Sequence, residues 1–101
     1  MNKTQIERIE KMEAIPDESV EITRDVAEVL ERFSAIQDKI NELSRYYGSA
    51  EWFSDFDDSN SGKLHGGIKC GVLSEDSIYD ILAENRALAI EMLEVATKIL
   101  K

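Results

Sequence analysis

The sequence predicts an all-α fold, a small antiparallel helical bundle with a long kinked N-terminal helix, a short helix in the connector and a C-terminal helix. Apolar residues recur at intervals of three and four near both ends of the chain, which is the period of a helix surface. The 101 residues include one proline and five glycines, too few for a fold with many turns. This length suits one modest core, so we expect a single domain over residues 1–101.

The first helix is predicted over residues 3–47. Thr4 and Glu7 have the spacing of a capping box at its start, and Gly48 stands where a left-handed residue would end it. Between these ends, the intervals alternate between four and three, as in the seam of a coiled coil. The members of this series are Ile22, Val26, Val29, Phe33, Ile36, Ile40, Leu43 and Tyr47.

Pro16 interrupts the pattern, because proline lacks an amide hydrogen and its ring clashes with the preceding helical turn. It could begin a second helix, with acidic residues in the first turn. However, Met12 and Ile15 share the phase of Ile22 and Val26, and a loop of arbitrary length would lose that phase. We therefore predict one continuous helix with a kink near residue 16.

The connector, residues 48–73, contains a predicted helix over 50–56 that Ser49 caps. Aromatic residues concentrate here and just before it, and they have two interpretations. They could anchor a protein partner, or they could fill one end of the bundle, which is the commoner role of large apolar side chains. The residues are Tyr46, Tyr47, Trp52, Phe53 and Phe56.

The last helix is predicted over 75–100, with Ser74 as its N-cap and Leu73 and Ile78 as a hydrophobic staple. Its apolar stripe is wider than one neighbouring helix covers. We therefore expect a homodimer; a monomer would need the first helix to fold back over the last. The stripe consists of Ile78, Ile81, Leu82, Leu88, Ala89, Met92, Leu93, Val95, Ala96, Ile99 and Leu100.

The segment DFDDSNSG, residues 55–62, resembles a calcium loop at first sight. Aligning Gly62 with the invariant glycine of an EF-hand puts Asp57 in the first ligand position and Ile68 in the twelfth, where a glutamate is required. A solvated turn at the end of the short helix explains the segment better. The single Cys70 and single His65 do not complete a zinc site, so we predict no metal, no cofactor and no catalytic residues.

The net charge of −9 repels nucleic acids and anionic lipid surfaces. No apolar run approaches the length of a membrane span, and no signal-peptide core begins the chain. A single cysteine excludes an intrachain disulfide. These observations favour a cytoplasmic protein that is not an enzyme and binds neither nucleic acid nor membrane directly.

Two segments, RYYGSAEWFSDFDDSNSGKL and KCGVLSEDSIYDILAEN, resemble a family of small proteins of Gram-positive bacteria known only as a domain of unknown function. One relative is encoded in a bacteriocin locus. The resemblance covers nearly the whole chain and is most specific over residues 71–76. Pro16 stands where the family usually has tyrosine, and HGG at residues 65–67 replaces a turn that contains proline. The family implies no activity.

The segment GVLSED itself has two interpretations: a polar ligand site, or a helix cap in which the Ser74 hydroxyl accepts an amide hydrogen bond and acidic side chains favour the helix dipole. We favour the cap, which predicts that Ser74→Ala costs about 1 kcal/mol. Its residues are Gly71, Leu73, Ser74, Glu75 and Asp76.

Three functions remain open from the sequence. The first is a non-enzymatic module that binds itself or another protein through the aromatic connector and the last helix. The second is an antitoxin-like or bacteriocin-immunity role, which the resemblance suggests. The third is an acidic mimic of nucleic acid, which the interleaving of basic with acidic residues disfavours.

Overall fold

The computed structural model describes residues 2–64 and 66–101, together with all side chains in those ranges except that of Glu75. It confirms the all-α class: three helices, α1 (Lys3–Tyr46), α2 (Ala50–Asn60) and α3 (Glu75–Leu100), and no strand among the described residues. A 3-10 turn over Gly71–Leu73 precedes α3. His65, which was considered above as a zinc ligand, lies outside the described residues.

Helix α1 begins at Lys3, as predicted, but its cap lies two residues before the predicted cap, Thr4. Asn2 is the cap, since its Oδ1 accepts the Gln5 amide at 2.7 Å. The predicted box of Thr4 and Glu7 is therefore wrong: both residues lie within the helix. Asparagine caps helices better than threonine does, which explains why the earlier residue prevails.

Pro16 lies inside α1, and the helix continues through it, as the shared phase of the apolar residues predicted. At the other end, Arg45 lies in the last turn, where a positive charge favours the helix dipole. Gly48 then adopts a φ of +79°, a left-handed conformation that suits glycine because it lacks a Cβ atom. The Ser49 amide donates to the Tyr46 carbonyl at 3.0 Å, which closes this turn.

Helix α2 extends four residues beyond the predicted end at 56, as far as Asn60. Ser49 caps it as predicted, because its Oγ accepts the Trp52 amide at 3.1 Å. Ser61 closes the other end and donates its hydroxyl to the Asp57 carbonyl at 2.9 Å. Gly62 follows with a φ of +74°, so the segment DFDDSNSG ends α2 and turns the chain.

Helix α3 begins after Ser74, whose extended backbone (φ −86°, ψ 124°) is that of an N-cap. Its hydroxyl, however, makes no capping hydrogen bond to the described start of the helix, so the predicted hydrogen bond is wrong. The Ser74 amide is instead tied back to the Gly71 carbonyl at 3.2 Å by the 3-10 turn. The predicted staple is present, since Leu73 and Ile78 are both buried in one cluster.

The chain divides into two compact units, residues 1–37 and 38–101. The described part of the first unit is the N-terminal portion of α1. The second contains the last turns of α1 together with α2, the 3-10 turn and α3, and its buried core is formed by Trp52, Leu73 and Ile78. The partly buried residues against that core are Leu43, Tyr46, Tyr47, Phe56, Leu64, Cys70 and Leu82.

Candidate functional site

Trp52 is the centre of the second unit. It is 2% exposed, and its indole Nε1 donates to the Val72 carbonyl at 3.0 Å. This bond joins α2 to the 3-10 turn, and it satisfies the polar atom that makes a buried tryptophan costly. Phe56 stacks on the indole ring, with 5.3 Å between the ring centroids. Tyr47 packs against it in a T-shaped arrangement, with 5.6 Å between the centroids. The ring is therefore part of the core.

The five predicted interaction residues do not share one environment. Trp52 is fully buried, whereas Tyr46, Tyr47 and Phe56 are half-buried against it. Phe53 differs, because it is 53% exposed although its ring lies nearly perpendicular to the indole ring, with 5.1 Å between the two ring centroids. The arrangement agrees with the packing interpretation for Trp52, and it leaves Phe53 as the aromatic ring that α2 presents to solvent.

Tyr46 and Asp55 form a polar link between the end of α1 and the middle of α2. The Tyr46 hydroxyl donates to Asp55 Oδ2 at 2.7 Å. This hydrogen bond, with lesser contributions from partial burial and the nearby negative charges, raises the pKa of Tyr46 from 10 to about 12. A tyrosine held neutral in this way is a poor base at physiological pH.

This pair was not predicted from the sequence, because Asp55 was considered only as part of the acidic segment DFDDSNSG. Tyr46 and Asp55 are nine residues apart on two different helices. Their contact depends on the turn at Gly48, which no periodic pattern encodes. The one sequence signal that could have indicated the pair is Tyr46 placed just before Gly48, the glycine that ends α1.

Two open clefts adjoin Tyr46. The first, of about 210 Å³, includes Tyr46, Asp55, Lys69 and Cys70 in its lining. The second, of about 270 Å³, is lined by Lys39, Glu42, Leu43, Tyr46 and Val72. Cys70 is half-buried, and its thiol donates weakly to the Ile68 carbonyl at 3.4 Å.

No three histidine, cysteine, aspartate or glutamate side chains converge on a possible metal position within the described part of the chain. The three aspartates of DFDDSNSG all lie on α2, and an Asp58 carboxylate oxygen lies 4.0 Å from the Lys63 ammonium. Helical backbone at Asp57 and Ser59 differs from the loop that wraps a calcium ion. Among the described residues, these side chains therefore form no set of metal ligands.

The predicted cap segment surrounds the start of α3. Gly71 and Leu73 belong to the 3-10 turn, Ser74 is the cap residue, and Asp76 lies exposed in the first helical turn. The side chain of Glu75 is outside the described residues. Leu73 enters the core, so at least this member of the segment has a packing role.

The N-terminal part of α1 has an exposed apolar surface. From residue 2 to residue 37, every side chain is exposed except those of Gln5, Phe33 and Gln37, which are half-buried. Many of the exposed residues are large hydrophobes, although globular proteins usually bury such side chains. Those on this part of α1 are Ile6, Ile9, Met12, Ile15, Val20, Ile22, Val26, Val29, Leu30 and Ile36.

Helix α3 has a second exposed apolar surface beyond Asn85. Leu93 is 69% exposed, and the residues that follow it are exposed to the end of the helix. The large hydrophobes of this surface are Leu88, Ile90, Met92, Leu93, Val95, Ile99 and Leu100. None of the described helices is both long and apolar enough to cross a membrane, because charged residues interrupt these surfaces.

Residues 9–95 match the family described as Domain of unknown function (DUF4298). The chain belongs to this family. The DUF4298 match covers most of α1, the whole connector and all but the end of α3, so it includes the Trp52 core and most of both exposed apolar surfaces; Ile6, Ile99 and Leu100 lie outside it. Neither a curated protein nor a solved structure matches the chain.

Proposed function

We propose that this DUF4298 protein is a non-enzymatic protein-interaction module that acts through the exposed apolar faces of its helices. The observation that carries the proposal is the face of α1. Ile15, Ile22, Val26, Val29 and Ile36 are each between 46% and 57% exposed, and they recur with the period of a helix seam.

The free energy of apolar burial supports this proposal. Burying apolar surface contributes roughly 25 cal/mol per Å², so a long row of half-exposed aliphatic side chains has much to gain from a covering surface. Extended apolar patches on soluble proteins commonly mark sites of protein association. The acidic residues interleaved with the face keep the uncovered surface hydrated.

The face of α3 extends the proposal to a second surface. Leu93, Ile99 and Leu100 are the most exposed of its large hydrophobes. A module with two such surfaces can hold two partners or contact one partner twice. Phe53 adds a smaller apolar surface on α2, the part of the predicted aromatic anchor that remains accessible.

We also propose that the protein acts in the bacterial cytoplasm and without catalysis. A lone half-buried cysteine suits a reducing compartment. The Tyr46 hydroxyl donates to Asp55, which disfavours its use as a base. A bacteriocin-immunity role has the support of the family resemblance alone, whereas the interaction role also has the exposed faces behind it.

The test combines sedimentation with affinity capture from native cells. Wild type is compared with Val26→Glu on the α1 face, Leu93→Glu on the α3 face and Arg24→Glu as a control for added negative charge. We expect wild type to sediment at about twice its 11.4 kDa chain mass or to retain a specific protein. At least one face variant should lose that association while the control keeps it. A monomeric wild type without a variant-sensitive partner contradicts the proposal.

A further inference from the structure

We infer that the exposed face of α1 is an antiparallel interface with a second copy of this chain. The inference rests on the proposed interaction function and names its partner. It concerns the α1 seam, the apolar positions that recur along the middle of the face at heptad spacing. These are Ile15, Ile22, Val26, Val29, Phe33 and Ile36. Ser19 is the polar member of the same series.

The two flanks of the seam differ in charge. On one flank, the successive positions are Thr23, Leu30 and Gln37, none of which carries a charge. On the other flank they are Glu18, Asp25, Arg32 and Lys39, so two acidic residues are followed by two basic residues. Residues that flank a coiled-coil seam set the choice and the orientation of the partner.

In an antiparallel pair, each flank faces the same flank of the other copy. With Val26 opposite Val29 of the second copy, Asp25 lies beside Arg32 of the second copy. In the same register, Glu18 lies beside Lys39 of the second copy, and two-fold symmetry repeats both pairs. Every charged position on the flank from 18 to 39 then has an opposite charge as its partner.

The register is specific, because neighbouring alignments place like charges together. A shift of one heptad in one direction brings Asp25 opposite Asp25 of the second copy. A shift in the other direction brings Arg32 opposite Arg32. Like charges in these positions disfavour association. The charges therefore select the alignment in which Val26 of each copy lies opposite Val29 of the other.

A parallel pair does not use these charges. There the charged flank faces the uncharged flank, so Asp25 meets Leu30 and Arg32 meets Gln37 of the second copy. The α3 face has no comparable pattern. Its seam is flanked on one side by Glu84, Glu91 and Lys98, and the antiparallel alignment that pairs Glu84 with Lys98 places Glu91 against Glu91.

Charge reversal tests the inference, with the dimer dissociation constant measured by sedimentation at low salt. Asp25→Arg and Arg32→Glu should each weaken the dimer about tenfold or more, because opposite-charge pairs become like-charge pairs. The double variant Asp25→Arg/Arg32→Glu should recover the wild-type constant to within about threefold, because it restores the pairs.

Arg24 and Glu31 provide the matched control. They have the same seven-residue spacing and opposite charges, but they lie on the side of α1 away from the seam. Arg24→Glu, Glu31→Arg and their double variant should each stay within about threefold of wild type. Circular dichroism of every variant shows whether helical content is retained; if a reversal variant loses it, the corresponding neutral variant, Asp25→Asn or Arg32→Gln, replaces it.

The outcomes separate this inference from the proposed function. A dimer that tolerates the charge reversals at Asp25 and Arg32 but is lost in Leu93→Glu overturns the α1 interface, while the interaction function stands. A dimer for which the double reversal fails to recover affinity overturns the antiparallel register. A monomer that specifically retains a different protein overturns the inference alone, and a monomer that retains none overturns both.

Discussion

Ser49 and Ser74 occupy the same position ahead of two helices but make different contacts. Both have extended backbones, as N-caps do. Only Ser49 accepts a helix amide with its hydroxyl. At Ser74, the preceding 3-10 turn and the buried staple of Leu73 and Ile78 fix the start of α3. The same residue type therefore contributes differently at the two sites.

This difference predicts unequal costs for the same substitution. Ser49→Ala should lower the free energy of unfolding by about 1 kcal/mol, because the Trp52 amide loses its partner. Ser74→Ala should lower it by less than about 0.5 kcal/mol, because no capping bond is lost. Urea denaturation of both variants measures the two values, and equal costs would show that Ser74 also caps in solution.

The Tyr46–Asp55 hydrogen bond predicts an alkaline transition. The pKa of Tyr46 is about 12 in the folded chain and 10 ordinarily. The raised pKa means that this bond stabilises the fold fully below pH 10, and that the contribution is lost as the pH rises from 10 to about 12. Ultraviolet titration should show a tyrosine ionising near pH 12.

Two variants identify that tyrosine. Tyr46→Phe should remove the step near pH 12, and Asp55→Asn should move it toward pH 10 because the carboxylate is gone. Retention of the step in Tyr46→Phe would assign it to another tyrosine and contradict the assignment.

Among the elements, the predicted bounds of α3, 75–100, agree with the observed Glu75–Leu100. Helix α1 was predicted to be continuous because its apolar period extends across Pro16. The cap of α1 was mispredicted, because Thr4 and Glu7 have the capping-box spacing, yet Asn2 offers the better cap two residues earlier. A spacing rule cannot rank competing caps. The end at Gly48 was predictable, because a left-handed residue after a helix strongly favours glycine.

The connector was harder to predict, because its structure depends on contacts between residues distant in sequence. The sequence placed Trp52 on a helix capped by Ser49, but the burial of that ring depends on the Val72 carbonyl twenty residues later. Helix α2 passes residue 56 into a serine- and aspartate-rich stretch with weak helix propensity. Ser61 and Gly62 stabilise its end.

Pro16 gives a prediction about α1 as a whole. Proline within a helix removes one backbone hydrogen bond and costs roughly 3 kcal/mol relative to alanine. Pro16→Ala should therefore raise the midpoint temperature at which α1 unfolds. Far-ultraviolet circular dichroism at a fixed protein concentration measures this midpoint. Glu13→Ala, at another exposed α1 position, is the control and should change the midpoint little. A lower midpoint in Pro16→Ala would indicate that the proline has a favourable role.

For the whole molecule, the distribution of burial is the main feature. The buried core belongs to residues 38–101, whereas residues 2–37 present a long exposed apolar face. The sequence predicted the apolar stripes and the homodimer, but it assigned the dimer to the wide stripe of α3. The charge pattern beside the α1 seam becomes informative once that face is known to be exposed, and it moves the proposed interface to α1.

The orientation of two α1 helices is the most direct test of this account. A spin label is attached at Glu10→Cys in a Cys70→Ser background whose dissociation constant matches wild type. Pulsed electron paramagnetic resonance then measures the distance between the two labels of the dimer. With Val26 opposite Val29 and a rise of 1.5 Å per residue, the antiparallel pair predicts a label separation of about 50 Å. A separation of about 20 Å would indicate parallel helices and contradict the account.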